Sequence, residues 1–406
     1  MKQFDLLKDD IKKLYIRYLM PSICATMITS IYIIADTVMV GHGIGEDALV
    51  ALNLLLPVYS LLFGIGNMLG IGGGVLVSVA MGTNNKQRVK ELFSTAIVGA
   101  CIFSVILTGI FIGFARDICY QLGANATTID YTMDYGMILF MGIPVFVFSA
   151  TIQGFIRNDK APNRAMAAVI IGSVANIILD YLFIYILDME MAGAVSATVI
   201  GYILNFMICA GHLFSKKSNL KFKLSCARLS VFKEIFVAGF TSMLVEMAGG
   251  ITTFVFNLQL IKYLKDIGVV VYSVITNSII VCNSIFNGAS QATQPIVANN
   301  YGAGLDERVD KVRRLGIRVI VVIAILFNIY VNIYYSTYLQ SIVRAGRAFI
   351  ITCARGIFLN VILVLILPII FGGTSIWYVV PATEIITMII ALTLIKTNDT
   401  ISSVIT

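Results

Sequence analysis

Residues 165–187 read AMAAVIIGSVANIILDYLFIYIL and contain one charged side chain, that of Asp180. A helix of about 20 mostly apolar residues is long enough to cross a hydrocarbon layer about 30 Å thick. This stretch therefore predicts a membrane-spanning helix that carries a carboxylate inside the membrane.

Similar apolar stretches recur along the whole chain. Of the 406 residues, 58% are hydrophobic and 13% are charged, against about 45–50% and about 25% in soluble proteins. This composition excludes a soluble globular fold and predicts an all-α polytopic membrane protein. Hydropathy predicts eleven spans, at 15–40, 48–81, 92–114, 131–156, 165–187, 191–214, 231–261, 268–298, 315–343, 348–371 and 375–395.

The basic residues predict the orientation of the chain. The formal net charge of +7 arises from 29 Lys and Arg against 22 Asp and Glu. Four segments are rich in Lys and Arg, namely 2–17, 86–90, 157–164 and 216–228. The connectors that alternate with them are neutral or acidic, around 46–47, 116–117 and 188–190. Because cytoplasmic loops carry the excess of Lys and Arg, we expect a cytoplasmic N-terminus and no nucleic-acid partner.

The seven cysteines indicate neither a disulfide framework nor a metal site. They occur singly, without a CxxC pair or a nearby cluster of histidines, at positions 24, 101, 119, 209, 226, 282 and 353. His42 and His212 are also isolated, and we interpret them as ordinary interface residues. No cofactor is expected, and the glycine-rich run at 70–74 is interpreted as a site of close helix packing.

An internal repeat divides the chain into two related halves. MGTNNKQRVK at 81–90 matches YGAGLDERVD at 301–310, an offset of 220 residues, and TIQGFIR at 151–157 matches YLQSIVR at 338–344, an offset of 187. Repeats of this kind are common in secondary transporters, which bind substrate between the repeats. The predicted organisation is an N-terminal six-helix lobe (1–214), a basic linker (215–230) and a C-terminal lobe (231–406).

The two offsets differ by 33 residues, so the second half lacks about one helix and has about five spans. The loop with Arg344 and Arg347 should then lie outside the cell, although its charge favours the inside. Either the last two helices are inverted, or residues 315–343 enter the membrane and return. Both alternatives stay open at this point.

Four carboxylates are predicted to lie within the membrane: Asp36, Asp180, Glu246 and Glu384. An ionised carboxylate there costs about 2.5–3.5 kcal/mol, so each requires a functional or structural reason. Helical spacing predicts two polar stripes, with Thr29, Tyr32 and Asp36 on the first span and Ser173, Asn176 and Asp180 on the fifth. We expect the two stripes to face each other in the interior of the N-terminal lobe.

Glu384 and two uncharged residues, Tyr32 and Gln291, are also candidates for cation or substrate binding. Tyr32 lies on the first stripe, Gln291 lies on the eighth span near Pro295, and Glu384 lies near the start of the last span. For Gln291 a kink in the helix is the alternative, and for Glu384 a structural or interfacial role. The 24 Phe, 18 Tyr and 16 Met residues suit a cavity that accepts varied amphipathic cations.

Five motifs resemble the multidrug and toxic compound extrusion (MATE) family, in its bacterial multidrug-efflux branch. They span both halves in the order of the family: IADTVMVGHGIGEDALVALNLLLP (34–57), QGFIRNDKAPNRA (153–165), ANIILDYLFIY (175–185), GAVSAT (193–198) and QATQPIVANNYGAG (291–304). The resemblance implies two helical lobes around a central cavity in the bacterial plasma membrane. It also implies export of amphipathic or cationic drugs in exchange for protons or sodium. An enzyme is not expected, because the sequence contains no convincing nucleophile, metal or phosphate motif.

The resemblance assigns roles to individual residues. Asp36, Asp180 and Asn176 match the acidic cluster that binds the coupling ion, and Glu246 matches a cation-binding acid of sodium-coupled members. By the repeat, the missing segment is the end of the ninth family helix, a loop and the start of the tenth. Some branches use an acid of the tenth helix, but no Asp or Glu lies between Asp310 and Glu384.

Two other functions remain open from the sequence. Loss of a helix would fit a transport-inactive membrane protein that retains binding or partner interactions. A lipid-linked sugar flippase of the same superfamily is also compatible, although that role favours a cationic cavity. The substrate, the coupling ion and the oligomeric state are not determined by the sequence.

Overall fold

The structure, a computed structural model, describes residues 5–327 and 345–402. Among these residues nearly all are helical and none is in a strand, which confirms the all-α prediction. Eleven helices occur up to residue 327: α1 (Ile11–Gly43), α2 (Glu46–Leu54), α3 (Leu56–Gly82), α4 (Lys86–Gly113), α5 (Ala115–Gln121), α6 (Ile129–Met141), α7 (Ile143–Asn158), α8 (Pro162–Asp180), α9 (Glu190–Ala210), α10 (Leu229–Gly302) and α11 (Asp306–Phe327). Three more follow residue 344: α12 (Ala345–Cys353), α13 (Leu359–Phe371) and α14 (Val379–Ser402).

Short helical turns complete the architecture, and caps define where the long helices begin. Two π-helical turns (Tyr181–Ile186 and Ala354–Phe358) continue α8 and α12. Asp10 caps α1 by accepting a hydrogen bond from the Lys13 amide at 3.1 Å, and Asn85 caps α4 through the Arg88 amide at 2.9 Å. These caps satisfy amide groups that have no partner within the first helical turn.

Nine of the eleven predicted spans correspond to helical segments of the described chain that are long and apolar enough to cross a membrane. Eight helical segments there are long and apolar enough to cross a membrane, and a ninth span results if α6 and α7, bent by 52° at Gly142, count as one. The predicted span 268–298 lies within α10. The predicted span 315–343 extends beyond residue 327, so it lies partly outside the described residues.

Helix α10 cannot be straight, although it is helical over 74 residues. Gly239 packs against Met68, and Gly302 packs against Val79, both on α3. At 1.5 Å per residue, a straight α10 would place these two glycines about 95 Å apart, whereas their partners on α3 are only about 17 Å apart. The chain therefore reverses direction within α10, as the two predicted spans 231–261 and 268–298 require.

The first pair of repeated motifs forms the same turn twice. After α3, the amides of Thr83, Asn84 and Asn85 bond to the carbonyls of Val79, Met81 and Ala80. The turn after α10 has the same three hydrogen bonds, each 220 residues later in the sequence. The amides of residues 303, 304 and 305 donate to the carbonyls of residues 299, 301 and 300. A left-handed residue occurs at the same place in both turns, with φ of 55° at Asn84 and 69° at Gly304. This local repeat is confirmed.

The two repeated turns pack against each other, and each carries an arginine that binds the other half. A side chain at Gly82 would meet the Asn299 carbonyl oxygen, so the two turns approach through glycine. Arg88 forms an ion pair with Glu234 near the start of α10. Arg308 donates to the carbonyls of Leu6 and Asp9 just before α1, at 3.2 and 2.8 Å. An ion pair and hydrogen bonds thus join the two halves at this end of the helices.

The glycine-rich run at 70–74 lies where α3 crosses two other helices. A Cβ atom at Gly70 would lie 2.7 Å from the Ala150 carbonyl oxygen of α7, and one at Gly72 would lie 2.6 Å from the Gly239 Cα of α10. Such distances are too short for a side chain. The prediction of close helix packing is confirmed.

The second repeated motif includes Gln340 and Arg344, which lie outside the described residues. The 33-residue difference between the halves and the side of the loop with Arg344 and Arg347 therefore stay predictions. The division into 1–214, 215–230 and 231–406 also stays a prediction.

Candidate functional site

A cavity of about 340 Å³ lies between the two halves of the chain. One side of the cavity is lined by α1, α3, α7, α8 and α9. The other side is lined by the two arms of α10, which are the segments before and after its reversal of direction. Glu246 contributes from the first arm of α10, and Ser284 and Gln291 contribute from the second. The sequence predicted such a cavity between the related halves.

The two predicted polar stripes face each other across this cavity. Thr29 and Tyr32 reach it from α1, and Ser173 and Asn176 reach it from α8, which packs directly against α1. This placement confirms that the two stripes meet. The stripes end at Asp36 and Asp180, which lie beyond the cavity lining.

Asp36 and Asp180 lie one helical turn beyond the lining residues Tyr32 and Asn176. Asp180 is fully buried, and neither of its carboxylate oxygens forms a hydrogen bond of normal geometry with a described residue, although the amide of Asn176 lies beside it. Oδ1 of Asp36 is likewise buried without a partner in the described part of the chain. The two carboxyl groups are close enough for their charges to interact. A buried carboxylate without hydrogen bonds is costly when ionised, so this pair favours a bound proton or cation.

The local backbone at Asp180 is unusual for a membrane helix. Helix α8 ends at Asp180, and the next six residues, Tyr181–Ile186, form a π-helical turn. A π-helical turn inside a helix is often found at functional sites. The turn is held to α1 by Tyr185, whose hydroxyl donates to the Met39 carbonyl at 3.2 Å. The end of α8 that carries Asp180 is therefore fixed against the end of α1 that carries Asp36.

Asn176 is only partly satisfied in this site. Its Nδ2 donates to Oγ1 of Thr198 at 3.3 Å, whereas its Oδ1 is buried without a partner in the described structure. Helices α8 and α9 approach closely here because Gly172 and Gly201 face each other. The free carbonyl oxygen of Asn176 is a suitable ligand for a hard cation such as sodium.

Two tyrosine pairs adjoin the acidic pair. The hydroxyls of Tyr32 and Tyr202 are 2.8 Å apart, and those of Tyr59 and Tyr135 are 2.9 Å apart. Phe146 contacts both pairs, with ring centroids 5.5 Å from Tyr59 and 4.8 Å from Tyr202. The sequence predicted Tyr32 alone. The other three are on α3, α6 and α9, and the sequence carries no signal that brings these helices together at one point.

Glu246 lies at the boundary between the halves. Its Oε1 accepts a hydrogen bond from Nδ2 of Asn67 on α3 at 3.0 Å, and both residues line the cavity. Glu246 was a predicted cation or substrate ligand. The structure places it where a cationic group in the cavity would meet it.

Gln291 also lines the cavity, and its Oε1 accepts a hydrogen bond from Nη1 of Arg157. Arg157 is 8% exposed, and its Nε is buried without a partner among the described residues. The predicted ligand Gln291 is therefore already engaged through its oxygen with a buried cation.

Glu384 lies elsewhere in the structure. Its Oε1 accepts a hydrogen bond from Nε of Arg355 at 2.7 Å, in the π-helical turn after α12. It does not contribute to the lining of the cavity that holds Tyr32, Glu246 and Gln291. Of the predicted site residues, Glu384 is the one that the structure separates from the rest.

His212 has a more specific environment than the sequence indicated. Its Nε2 lies 2.9 Å from Oδ2 of buried Asp159, which also accepts hydrogen bonds from Ser218 and from the amide of Asn219. Asp159 thereby fixes the segment after α9 to the end of α7. Within the ranges 5–327 and 345–402, no cluster of three His, Cys, Asp or Glu residues could hold a metal ion.

Comparison with known proteins agrees with this geometry. The MatE family model matches residues 21–182. The multidrug export protein MepA of Staphylococcus saprophyticus is 27% identical over 334 residues, which cover 81% of this chain and 72% of that protein. MepA of Staphylococcus aureus is 26% identical over 332 residues, covering 79% and 72%.

Solved structures of MATE transporters share the fold. A MATE structure in the straight conformation superposes with a TM-score of 0.90 at 21% identity, covering 98% of each chain. An outward-facing multidrug-resistance MATE transporter gives the same TM-score, identity and coverage. The chain thus has the two-lobed helical fold of these structures. In sequence the chain is similar to the MatE family model over residues 21–182 and to the MepA multidrug export proteins.

Proposed function

We propose that this chain is an antiporter that exports amphipathic or cationic drugs across the bacterial plasma membrane in exchange for protons or sodium. The observation that carries the proposal is the pair of carboxylates Asp36 and Asp180, of which Asp180 is fully buried, one helical turn from a cavity between the two halves. Neither oxygen of Asp180 has a cationic partner or a hydrogen bond of normal geometry in the described structure, so an external proton or cation is the natural partner of this carboxylate.

The coupling follows from competition between charges. With the carboxylates ionised, the tyrosine-lined cavity attracts a cation, and Glu246 adds a further negative charge. When a proton or sodium ion binds to Asp36 and Asp180, that attraction falls and a cationic substrate is released. The ion and the substrate can drive a change between two facing states only if each binds the two states with different affinity.

The proposed orientation places the N-terminus in the cytoplasm. The basic segments 2–17, 86–90, 157–164 and 216–228 adjoin the start of α1, the start of α4, the end of α7 and the end of α9. Because successive spans alternate in direction, these ends lie on one side, and the excess of Lys and Arg on that side supports a cytoplasmic location. The lobes 1–214 and 231–406, joined by 215–230, would be the bodies that move.

The test is gradient-driven efflux by the full chain in proteoliposomes. Purified protein is reconstituted, loaded vesicles are given an imposed proton or sodium gradient of either direction, and ethidium fluorescence is followed. We expect efflux to follow one of the two gradients and to stop when that gradient is dissipated by an ionophore. The melting curve shows whether the reconstituted protein is folded. If folded protein moves neither ethidium nor a second amphipathic cation in response to a gradient, the transport-inactive alternative is favoured.

A further inference from the structure

The cavity holds a buried cation as well as an acid. Arg157 lines it at the end of α7 and is 8% exposed. A guanidinium group has five N–H donors and stays charged in proteins. The hydrogen bond to Gln291 uses one of them, and Nε is buried without a partner. Among the described residues, no carboxylate forms an ion pair with Arg157.

A buried cation without a counter-ion is costly, because desolvation of the charge is not repaid. The uncharged oxygen of Gln291 satisfies the group only in part. The remaining donors lie at the wall of a cavity large enough for a small molecule. An anionic group that enters the cavity would complete the site, and planar two-point recognition of carboxylates is the preferred chemistry of arginine.

The positive and negative ends of the cavity are separated along the helices. Helices α3 and α7 pack in parallel with a constant register, since Gly66 faces Ala150, Gly70 faces Gly154 and Gly74 faces Asn158. Asn67, the partner of Glu246, is therefore level with residue 151. Arg157 is six residues further along α7, which corresponds to about 9 Å.

We propose that Arg157, positioned by Gln291, is an anion subsite that takes a carboxylate on the substrate while Glu246 takes its cationic group. The expected ligands are amphipathic zwitterions. Their two charges would bind at points that lie about 9 Å apart along the helix axis, measured between backbone positions. This inference rests on the proposed export function and deepens it, because it assigns a second recognition point within the same cavity.

The experiment uses two dyes that differ in one charge. Rhodamine 110 carries a free carboxylate, and rhodamine 123 is its methyl ester. Binding of each dye to the purified full chain is measured by fluorescence polarisation at neutral pH. We expect Arg157→Gln to weaken binding of rhodamine 110 about tenfold or more and to change binding of rhodamine 123 less than twofold, since a buried charge-assisted pair is worth well over 1.4 kcal/mol.

Two controls separate recognition from structural effects. Glu246→Gln should weaken both dyes to a similar degree, because both keep the cationic end. Arg157→Lys should recover part of the preference for the acid. If Arg157→Gln does not fold, the unmodified chain still decides, because benzoate should displace rhodamine 110 and leave rhodamine 123 bound.

Several outcomes would overturn the subsite. If Arg157→Gln weakens binding of both dyes equally, the arginine has a purely structural role. If it weakens binding of neither dye, Arg157 does not contact the ligand. If replacement of chloride by gluconate weakens rhodamine 123 binding in the unmodified chain alone, the anion is an inorganic ion and not the substrate. Binding of rhodamine 123 without ethidium efflux would refute the proposed export function and leave the subsite standing.

Discussion

Asp180 in the first half and Glu384 in the second are both carboxylates within apolar helices, but their surroundings are opposite. Asp180 is fully buried, and neither oxygen has a cationic partner or a hydrogen bond of normal geometry in the described structure. Glu384 is held by Arg355 at 2.7 Å and lies away from the cavity between the halves. A carboxylate with a permanent cationic partner stabilises the fold, whereas one without a partner can bind and release an ion.

The largest effect is expected from Asp180→Asn. The amide has the size of the carboxylate but cannot be charged, so the site loses its ion. Gradient-driven efflux should fall by roughly 100-fold, since coupling free energies between two sites reach about 3 kcal/mol. Efflux is measured in proteoliposomes at equal protein content. Unchanged efflux from the variant, in both proton and sodium gradients, would remove Asp180 from the coupling site.

Stability should change in the opposite direction for this variant. Replacing a buried, unpartnered carboxylate with a neutral isostere removes a desolvation cost, so the melting temperature should stay the same or rise. A lowered melting temperature would indicate that Asp180 has a structural partner.

Asp36→Asn should lower efflux in the same way, and the double variant should be no worse than either single variant. The two carboxyl groups interact electrostatically, and residues that act as one unit are not additive. Efflux rates of the four proteins form a double-mutant cycle. Independent, multiplied losses would show that the two acids serve separate steps.

Glu384→Gln should mainly affect stability. It removes the carboxylate that Arg355 contacts in a partly buried site, which costs about 1–3 kcal/mol, and efflux by the folded fraction should stay within twofold. The thermal transition in detergent and the efflux rate are measured together. The matched variant Arg355→Gln should show the same pattern, and a specific loss of coupling in either would place this pair in the ion pathway.

The smallest effect is expected from Tyr202→Phe. The substitution removes the hydroxyl that contacts Tyr32 at 2.8 Å and keeps the ring that packs on Phe146. A net hydrogen bond contributes about 0.5–1.5 kcal/mol, so the apparent affinity for ethidium should change by tenfold at most. The KM of efflux measures this change. Complete loss of transport would mean that the hydroxyl itself carries a proton or binds the ion.

The fold class and the meeting of the two polar stripes were predictable from the sequence, for clear physical reasons. Apolar segments identify spans because the backbone must satisfy its own hydrogen bonds in lipid, and helical spacing placed Asp36 and Asp180 at the ends of stripes that do meet. The environment of Glu384 was not predictable, because Arg355 is 29 residues away and reaches it through a turn of irregular geometry.

The tyrosine pairs and the partner of Arg157 were missed for a similar reason. Tyr59, Tyr135 and Tyr202 lie on three helices, and their contacts depend on how those helices pack together. The repeat did predict the turns after α3 and α10, because the same residue types recur there 220 positions apart.

The most direct test of the central claim is to measure whether substrate binding displaces an ion from the acidic pair. Ethidium is added to purified protein, and proton release in a weakly buffered solution or displacement of radioactive sodium is recorded. We expect the unmodified chain and Glu384→Gln to release the ion in proportion to bound ethidium, and Asp180→Asn to bind ethidium without releasing it. Equal release from Asp180→Asn, or no release from the unmodified chain, would contradict the assignment of Asp180 to ion coupling.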